Sequence, residues 1–165
     1  LIHRARPQLK FVLPVAPGRR AAVEAAMATH APGVPVQLVD GRSHEVLAAC
    51  DVTLIASGTA TLEAALFKRP MVIAYRLSGL SWQIMKRMRY QPWVGLPNIL
   101  ERDFVVPELL QDAASPENLA RETLAWLDDA PRVERLQARF TALHHQLRCD
   151  TVHRVADAIA QTIGR

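Results

Sequence analysis

Three hydroxyl side chains, one glycine and one carboxylate fall within the seven residues Ser57-Gly58-Thr59-Ala60-Thr61-Leu62-Glu63. That set suits an anion. The apolar run Val52-Thr53-Leu54-Ile55-Ala56 before it reads as a buried strand. Leu62 to Phe67 after it reads as a helix that stops before Pro70. A strand, a small turn and a helix start bring free amide N–H groups and the positive end of a helix dipole to one point. Gly58 lets a phosphate approach the backbone, and Ser57, Thr59 and Thr61 add hydroxyl donors. Glu63, about one turn into the helix, can accept hydrogen bonds from a ribose diol. Together these groups suit a nucleoside diphosphate. The same residues also make an ordinary capped helix with no ligand. No Gly-Lys-Ser/Thr follows, so the turn is not a P-loop, and the three-glycine dinucleotide fingerprint is absent.

The elements that must position this turn alternate in type. Strands are expected at 10–15, 36–39, 52–56 and 71–75, and helices at 17–30, 44–50 (capped by Ser43) and 59–67. That alternation argues for an α/β fold, a Rossmann-like parallel sheet with helices on both faces. Ligands of such sheets gather at the carboxyl ends of the strands. Asp40-Gly41-Arg42-Ser43, the Ser57–Thr61 turn and the segment after Tyr75 all fall there. Beyond residue 75 a helix is expected over 80–89, then an apolar segment 96–100 broken by Pro97 and Asn98, and a short helix at 106–111. A helical tail follows: 115–127, 131–148 and a last helix carrying Val152, Val155, Ile159 and Ile163. The expected division is residues 1–110 for a nucleotide-sugar-binding domain and 111–165 for helices packed on it or on another domain.

At 165 residues the chain can build one real core. Half its residues are apolar and 22% are charged, as in ordinary globular proteins. No stretch approaches the length of a membrane-spanning helix. The start, Leu1-Ile2-His3-Arg4, reads as the end of a helix without an initiator Met, so a fragment of a longer protein is expected. Cys50 and Cys149 lack metal-site spacing and read as reduced thiols.

Between Ala64 and Leu100 there is no Asp or Glu, while Lys68, Arg69, Arg76, Lys86, Arg87 and Arg89 all fall there. One-sign charge points to anionic partners. Trp82, Met85, Lys86, Arg87, Arg89 and Trp93 mix aromatic, aliphatic and basic groups as an interfacial helix does, each basic group adding about 1 kcal/mol at an anionic surface. A core-packed helix with a solvated basic face fits the same pattern. No nucleic-acid module is recognised. Ser57 is outside any G-x-S-x-G elbow, His44-Glu45 lacks a second zinc histidine, and adjacent His144 and His145 point apart on a helix. Asn98 needs a specific partner if buried, and it could equally hold its own turn.

The strings ASGTATLEAALFKRPMVIAYR at 56–76, LPNIL at 96–100, VPELLQ at 106–111 and FTALHHQLRCD at 140–150 resemble the lipid A disaccharide synthases, bacterial glycosyltransferases of the GT-B type. The resemblance runs from about residue 10 to the end. It implies the carboxyl-terminal, UDP-binding half of such an enzyme, which moves a diacylglucosamine from UDP to diacylglucosamine 1-phosphate. The implied reaction uses no metal and no cofactor, and it takes place in the cytoplasm, peripherally on the inner membrane of a Gram-negative bacterium. The amino-terminal domain, with the acceptor side and the expected general base, would lie outside this chain. This chain alone is therefore expected to be inactive. By position, Ser57, Gly58, Thr59, Ala60 and Thr61 would hold the diphosphate and Glu63 the ribose. Arg76 would neutralise the departing UDP, and Asn98 would serve as the catalytic nucleotide contact. Trp82 to Trp93 would touch the membrane, and a homodimer is possible through the last helices. The alternatives are a non-catalytic membrane-binding or oligomerisation module, or another UDP-sugar transferase or epimerase.

Overall fold

The computed structural model describes residues 1–88 and 91–164, with backbone only at positions 80, 85, 86 and 88. Five strands and nine α-helices alternate among the described residues: α1 (Ile2–Ala5), β1 (Phe11–Val15), α2 (Arg20–His30), β2 (Val36–Asp40), α3 (Ser43–Ala49), β3 (Thr53–Ala56), α4 (Thr59–Leu66), β4 (Met71–Tyr75), α5 (Gly79–Met88), α6 (Leu96–Glu101), β5 (Glu108–Leu110), α7 (Pro116–Asp128), α8 (Ala130–Leu147) and α9 (Thr151–Ile163). The expected α/β architecture, parallel strands flanked by helices, is the observed one.

The strands form two ladders. β1 pairs with β2, and β3, β4 and β5 pair in that order, all parallel. In β4 the consecutive residues Met71, Val72 and Ile73 are all wholly buried. Successive strand residues point to opposite faces, so both faces of β4 are covered. The core joins these to Ala64 and Ala65 of α4, Val106, Trp126 of α7, and Leu136, Phe140 and Leu143 of α8. Trp126 donates its indole N–H to the Met71 carbonyl at 3.1 Å, and Arg132 lies 3.8 Å over its ring. The first two tail helices therefore belong to the core of the three-stranded sheet. α9 buries no residue, and its Val152, Val155, Ile159 and Ile163 are exposed.

Three expectations need correction. Ser43 does not cap α3: it is the first helical residue, Arg42 holds the N-cap position, and no side-chain cap bond forms. Residues 96–100 are not a broken apolar segment but the helix α6. Pro97 sits in its first turn, where a missing N–H costs nothing. Residues 106–111 are not a helix, since Glu108–Leu110 is strand β5, in register with Ile73, Ala74 and Tyr75 of β4. Its Leu-Leu-Gln composition favours helix locally, and pairing with a buried strand overrides that preference.

The basic span is divided rather than gathered. Lys68 (φ 58°) ends α4, donating to the Leu66 carbonyl at 2.6 Å and lying 2.6 Å from His144 Nδ1. The charge of Lys68 holds the His144 imidazole below its usual pKa range, with smaller contributions from desolvation and from His145 and Arg148. Arg69 donates to the Ala48 carbonyl. These two cations serve the far end of α4, away from the Ser57 turn.

Candidate functional site

The register of the three-stranded sheet decides what meets at its carboxyl edge. Ala56 pairs with Ala74, and Tyr75 with Leu110. Ser57, Arg76 and Gln111 therefore leave their strands at one rim. Gly58 joins β3 to α4 with φ 152° and ψ −170°, backbone that only glycine adopts readily. Among the described residues, the amides of Gly58, Thr59 and Ala60 donate to no protein acceptor, and all three residues are exposed. With the dipole of α4 behind them they form an open cradle for an anion.

The hydroxyls divide in role. Thr59 is exposed at the helix start. Thr61 is wholly buried, and both its amide (3.1 Å) and its hydroxyl (2.7 Å) donate to the Gly58 carbonyl. Its one hydroxyl hydrogen is thus committed to bracing the turn, a departure from the free donor expected of it. The Ser57 hydroxyl reaches the Val94 carbonyl at 3.4 Å.

Glu63 is partly exposed, and its carboxylate lies 3.2 Å from His44 Nε2. His44 stands in the first turn of α3, just after the Asp40–Ser43 loop, with its ring 5.7 Å from that of Phe67. Glu63 is therefore held on the flank of α4, one turn in from the Ser57 turn, against the first turn of α3. No group of three metal-binding side chains occurs among the described residues. Within the Asp40–Ser43 loop, Arg20 grips the Asp40 carboxylate at 2.7 Å, and Arg42 pairs with Glu45.

Asn98 is wholly buried, and its polar atoms are occupied. Its amide nitrogen donates to the Val106 carbonyl and to Glu108 Oε1, both at 2.9 Å, while its oxygen accepts from the Val106 amide at 3.0 Å. Both hydrogens of its amide nitrogen are committed within the protein and the residue is wholly buried, so in this geometry it offers a ligand no free donor. A buried side-chain amide is instead fastening β5 to α6. Glu108 completes that fastening by accepting from the amides of Val94 (2.9 Å) and Gly95 (2.8 Å).

Arg76 is exposed and pairs with Asp112 at 3.6 Å. Beside it, Gln111 adopts φ 52° and bonds Leu77 twice, accepting from its amide at 2.6 Å and donating to its carbonyl at 3.1 Å. The rim is thereby tied to the start of α5. Sequence reasoning missed three residues that hold this region together: His44, Glu108 and Gln111. The last two lie inside the string VPELLQ, and reading that string as a helix hid the strand that aims them.

On α5, Trp82 is half-buried and Arg87 and Ile84 are exposed. Trp93 is half-buried beside Phe104 (centroids 6.3 Å apart), its indole N–H meeting no acceptor among the described residues. Arg89 lies outside the described residues, as do the side chains of Met85 and Lys86. No helix among the described residues is long and apolar enough to cross a membrane. Both cysteines are free. Burial raises the Cys50 pKa, and a hydrogen bond from Arg154 lowers that of exposed Cys149. Grooves of about 330 Å³ along α9 and about 440 Å³ beside the start of β1 do not touch the rim.

A family model described as lipid-A-disaccharide synthetase matches residues 1–162. Among curated proteins, the lipid-A-disaccharide synthase of Albidiferax ferrireducens is 57% identical over 99% of this chain and 43% of its own length. That of Verminephrobacter eiseniae is 58% identical over 96% of the chain and 42% of its length. That of Pseudomonas savastanoi pv. phaseolicola is 52% identical over all of the chain and 42% of its length. The chain thus spans well under half the length of these relatives.

Proposed function

This chain belongs to the lipid-A-disaccharide synthetase family, and from that premise we propose that it supplies the donor site of a glycosyltransferase that moves a diacylglucosamine from UDP to diacylglucosamine 1-phosphate. The observation that carries the reading is the cradle of three undonated amides at Gly58, Thr59 and Ala60, ahead of α4, with Glu63 one turn further along that helix. The diphosphate lies on those amides. The Thr59 hydroxyl flanks it, the Ser57 hydroxyl ties the turn to the Val94 carbonyl, and Glu63, leaving His44, takes the ribose diol. Arg76 swings from Asp112 toward the leaving phosphates.

Displacing UDP from the anomeric carbon builds negative charge on the diphosphate. Fixed amides and a helix dipole stabilise that charge with no reorganisation, and losing one such donor costs about 3–4 kcal/mol of barrier. The acceptor, and the group that deprotonates its hydroxyl, belong to another part of the enzyme. Trp82, Ile84 and Arg87 on α5 suit a lipid surface, which both acylated substrates need, and a peripheral seat on the inner membrane follows. The exposed apolar face of α9 suits packing against that other part or a second copy.

UDP at millimolar concentration should raise the Tm of the chain, and Glu63→Ala should weaken binding while leaving the Tm without ligand unchanged. No UDP-dependent shift would sink the donor-site reading. Binding to anionic vesicles without any UDP effect would favour a membrane module. Turnover of a UDP-sugar with no lipid acceptor would favour an epimerase.

A further inference from the structure

We propose that Glu108 is a positioning residue for the diphosphate turn, acting on Ser57 through the Val94–Gly95 turn. The inference rests on the donor-site reading above. Glu108 opens β5 opposite Ile73, so the sheet register fixes its Cα. Among the described residues three donors reach its carboxylate, and they come from one short segment: the Val94 amide on Oε2, and the Gly95 amide and Asn98 Nδ2 on Oε1. Hydrogen bonds to an ionised acceptor are the strong ones, so three of them pin 94–98 to the strand. Asn98 reinforces the grip by bonding Val106 on both its polar groups, two residues before Glu108.

The fit is close. A Cβ on Gly95 would press on the end of the wholly buried Ile73 side chain and lie 3.2 Å from Glu108 Oε1, so a larger residue there would have to displace that end. The held turn presents the Val94 carbonyl to the Ser57 hydroxyl. A hydroxyl has one hydrogen, and its rotor is set by the acceptor that faces it. Glu108 thus fixes the wall to which Ser57 ties the diphosphate turn, without touching the ligand. The sheet interior and the rim are linked by four groups in series: β5 carboxylate, Val94 amide, Val94 carbonyl and Ser57 hydroxyl.

Glu108→Gln tests this in the 165-residue chain. It keeps the shape but turns an N–H₂ toward an amide donor. UDP titration calorimetry should show affinity reduced roughly tenfold, the worth of one charged hydrogen bond. Ser57→Ala should cost less, and in the double variant it should add under about twofold, because both act on one element. Trp126→Phe, which loosens the opposite side of the core, should lower Tm without moving UDP affinity by more than about twofold. Glu108→Asp keeps the charge but withdraws it by one methylene. It should show a smaller loss in the same direction, and it serves if the Gln variant does not fold. Multiplying effects of Glu108→Gln and Ser57→Ala would overturn the proposal. So would Glu108 variants that bind UDP as the parent does, or a Trp126→Phe loss as large as theirs. A parent chain that binds no UDP would instead overturn the donor-site reading, and this inference with it.

Discussion

Replacing Gly58 by Ala isolates what the turn backbone contributes. At φ 152° and ψ −170° the residue occupies a region essentially reserved for glycine. A Cβ built there meets nothing within 4 Å, so no steric collision adds to the effect. The cost is conformational alone, on the order of 1–3 kcal/mol. It can emerge in two ways. If the variant keeps the turn, the strain subtracts from folding stability. If the substituted alanine relaxes to ordinary dihedrals, stability recovers, but the amides of Thr59 and Ala60 no longer converge, and rebuilding the cradle for UDP costs what relaxation released. The losses in stability and in binding free energy should therefore sum to about 1–3 kcal/mol, whatever their division. Urea unfolding gives the first and titration calorimetry the second, where about 1.4 kcal/mol is tenfold in affinity. A combined loss below about 0.5 kcal/mol would show that the strained turn is unimportant to the cradle and would refute the reasoning.

Two further outcomes follow from contacts away from the rim. Trp126→Phe removes the hydrogen bond to the Met71 carbonyl and weakens the stacking of Arg132. It should cost about 1–3 kcal/mol, read as a Tm drop of about 2–4 °C per kcal/mol, and an unchanged Tm would contradict the core assignment. His144 gives a pH test. Lys68 depresses its folded pKa. Above the unfolded value of about 6.5 the ring is neutral in both states and nothing changes. As pH falls below that, the unfolded chain takes the proton more readily, so stability is lost until the folded pKa is passed. Lys68→Met should flatten this acid-side decline in the urea midpoint. Equal slopes for parent and variant would remove Lys68 as the cause.

Much of the fold was legible because its strands are short apolar runs between turn residues. Val52–Ala56 and Met71–Tyr75 have few other readings. The rim was legible for the same reason: a glycine among hydroxyls after such a run marks a strand end. What local pattern could not supply was partner identity. Pro97 and Asn98 look like a break until Pro97 is seen in a first helical turn, where it fits. Glu108–Leu110 looks helical until β4 offers it a ladder. Thr61 has the chemistry of a phosphate donor and is spent on the Gly58 carbonyl, a matter of which way one side chain faces. His44 meets Glu63 only because two consecutive βα units pack side by side.

The two ladders share no strand, and this bears on how the chain comes apart. Among the described residues β1 and β2 pair as strands with each other alone, and their helix α2 buries no residue. A lone two-stranded ladder is marginal in water. The first forty or so residues should therefore open as a separate cooperative unit, at lower free energy than the body built on β4. Denaturation would proceed in two stages, with amides of Phe11–Val15 and Val36–Asp40 exchanging first. A ligand seated at Gly58 would delay the second stage, so the UDP-dependent Tm is read from a probe in the body built on β4.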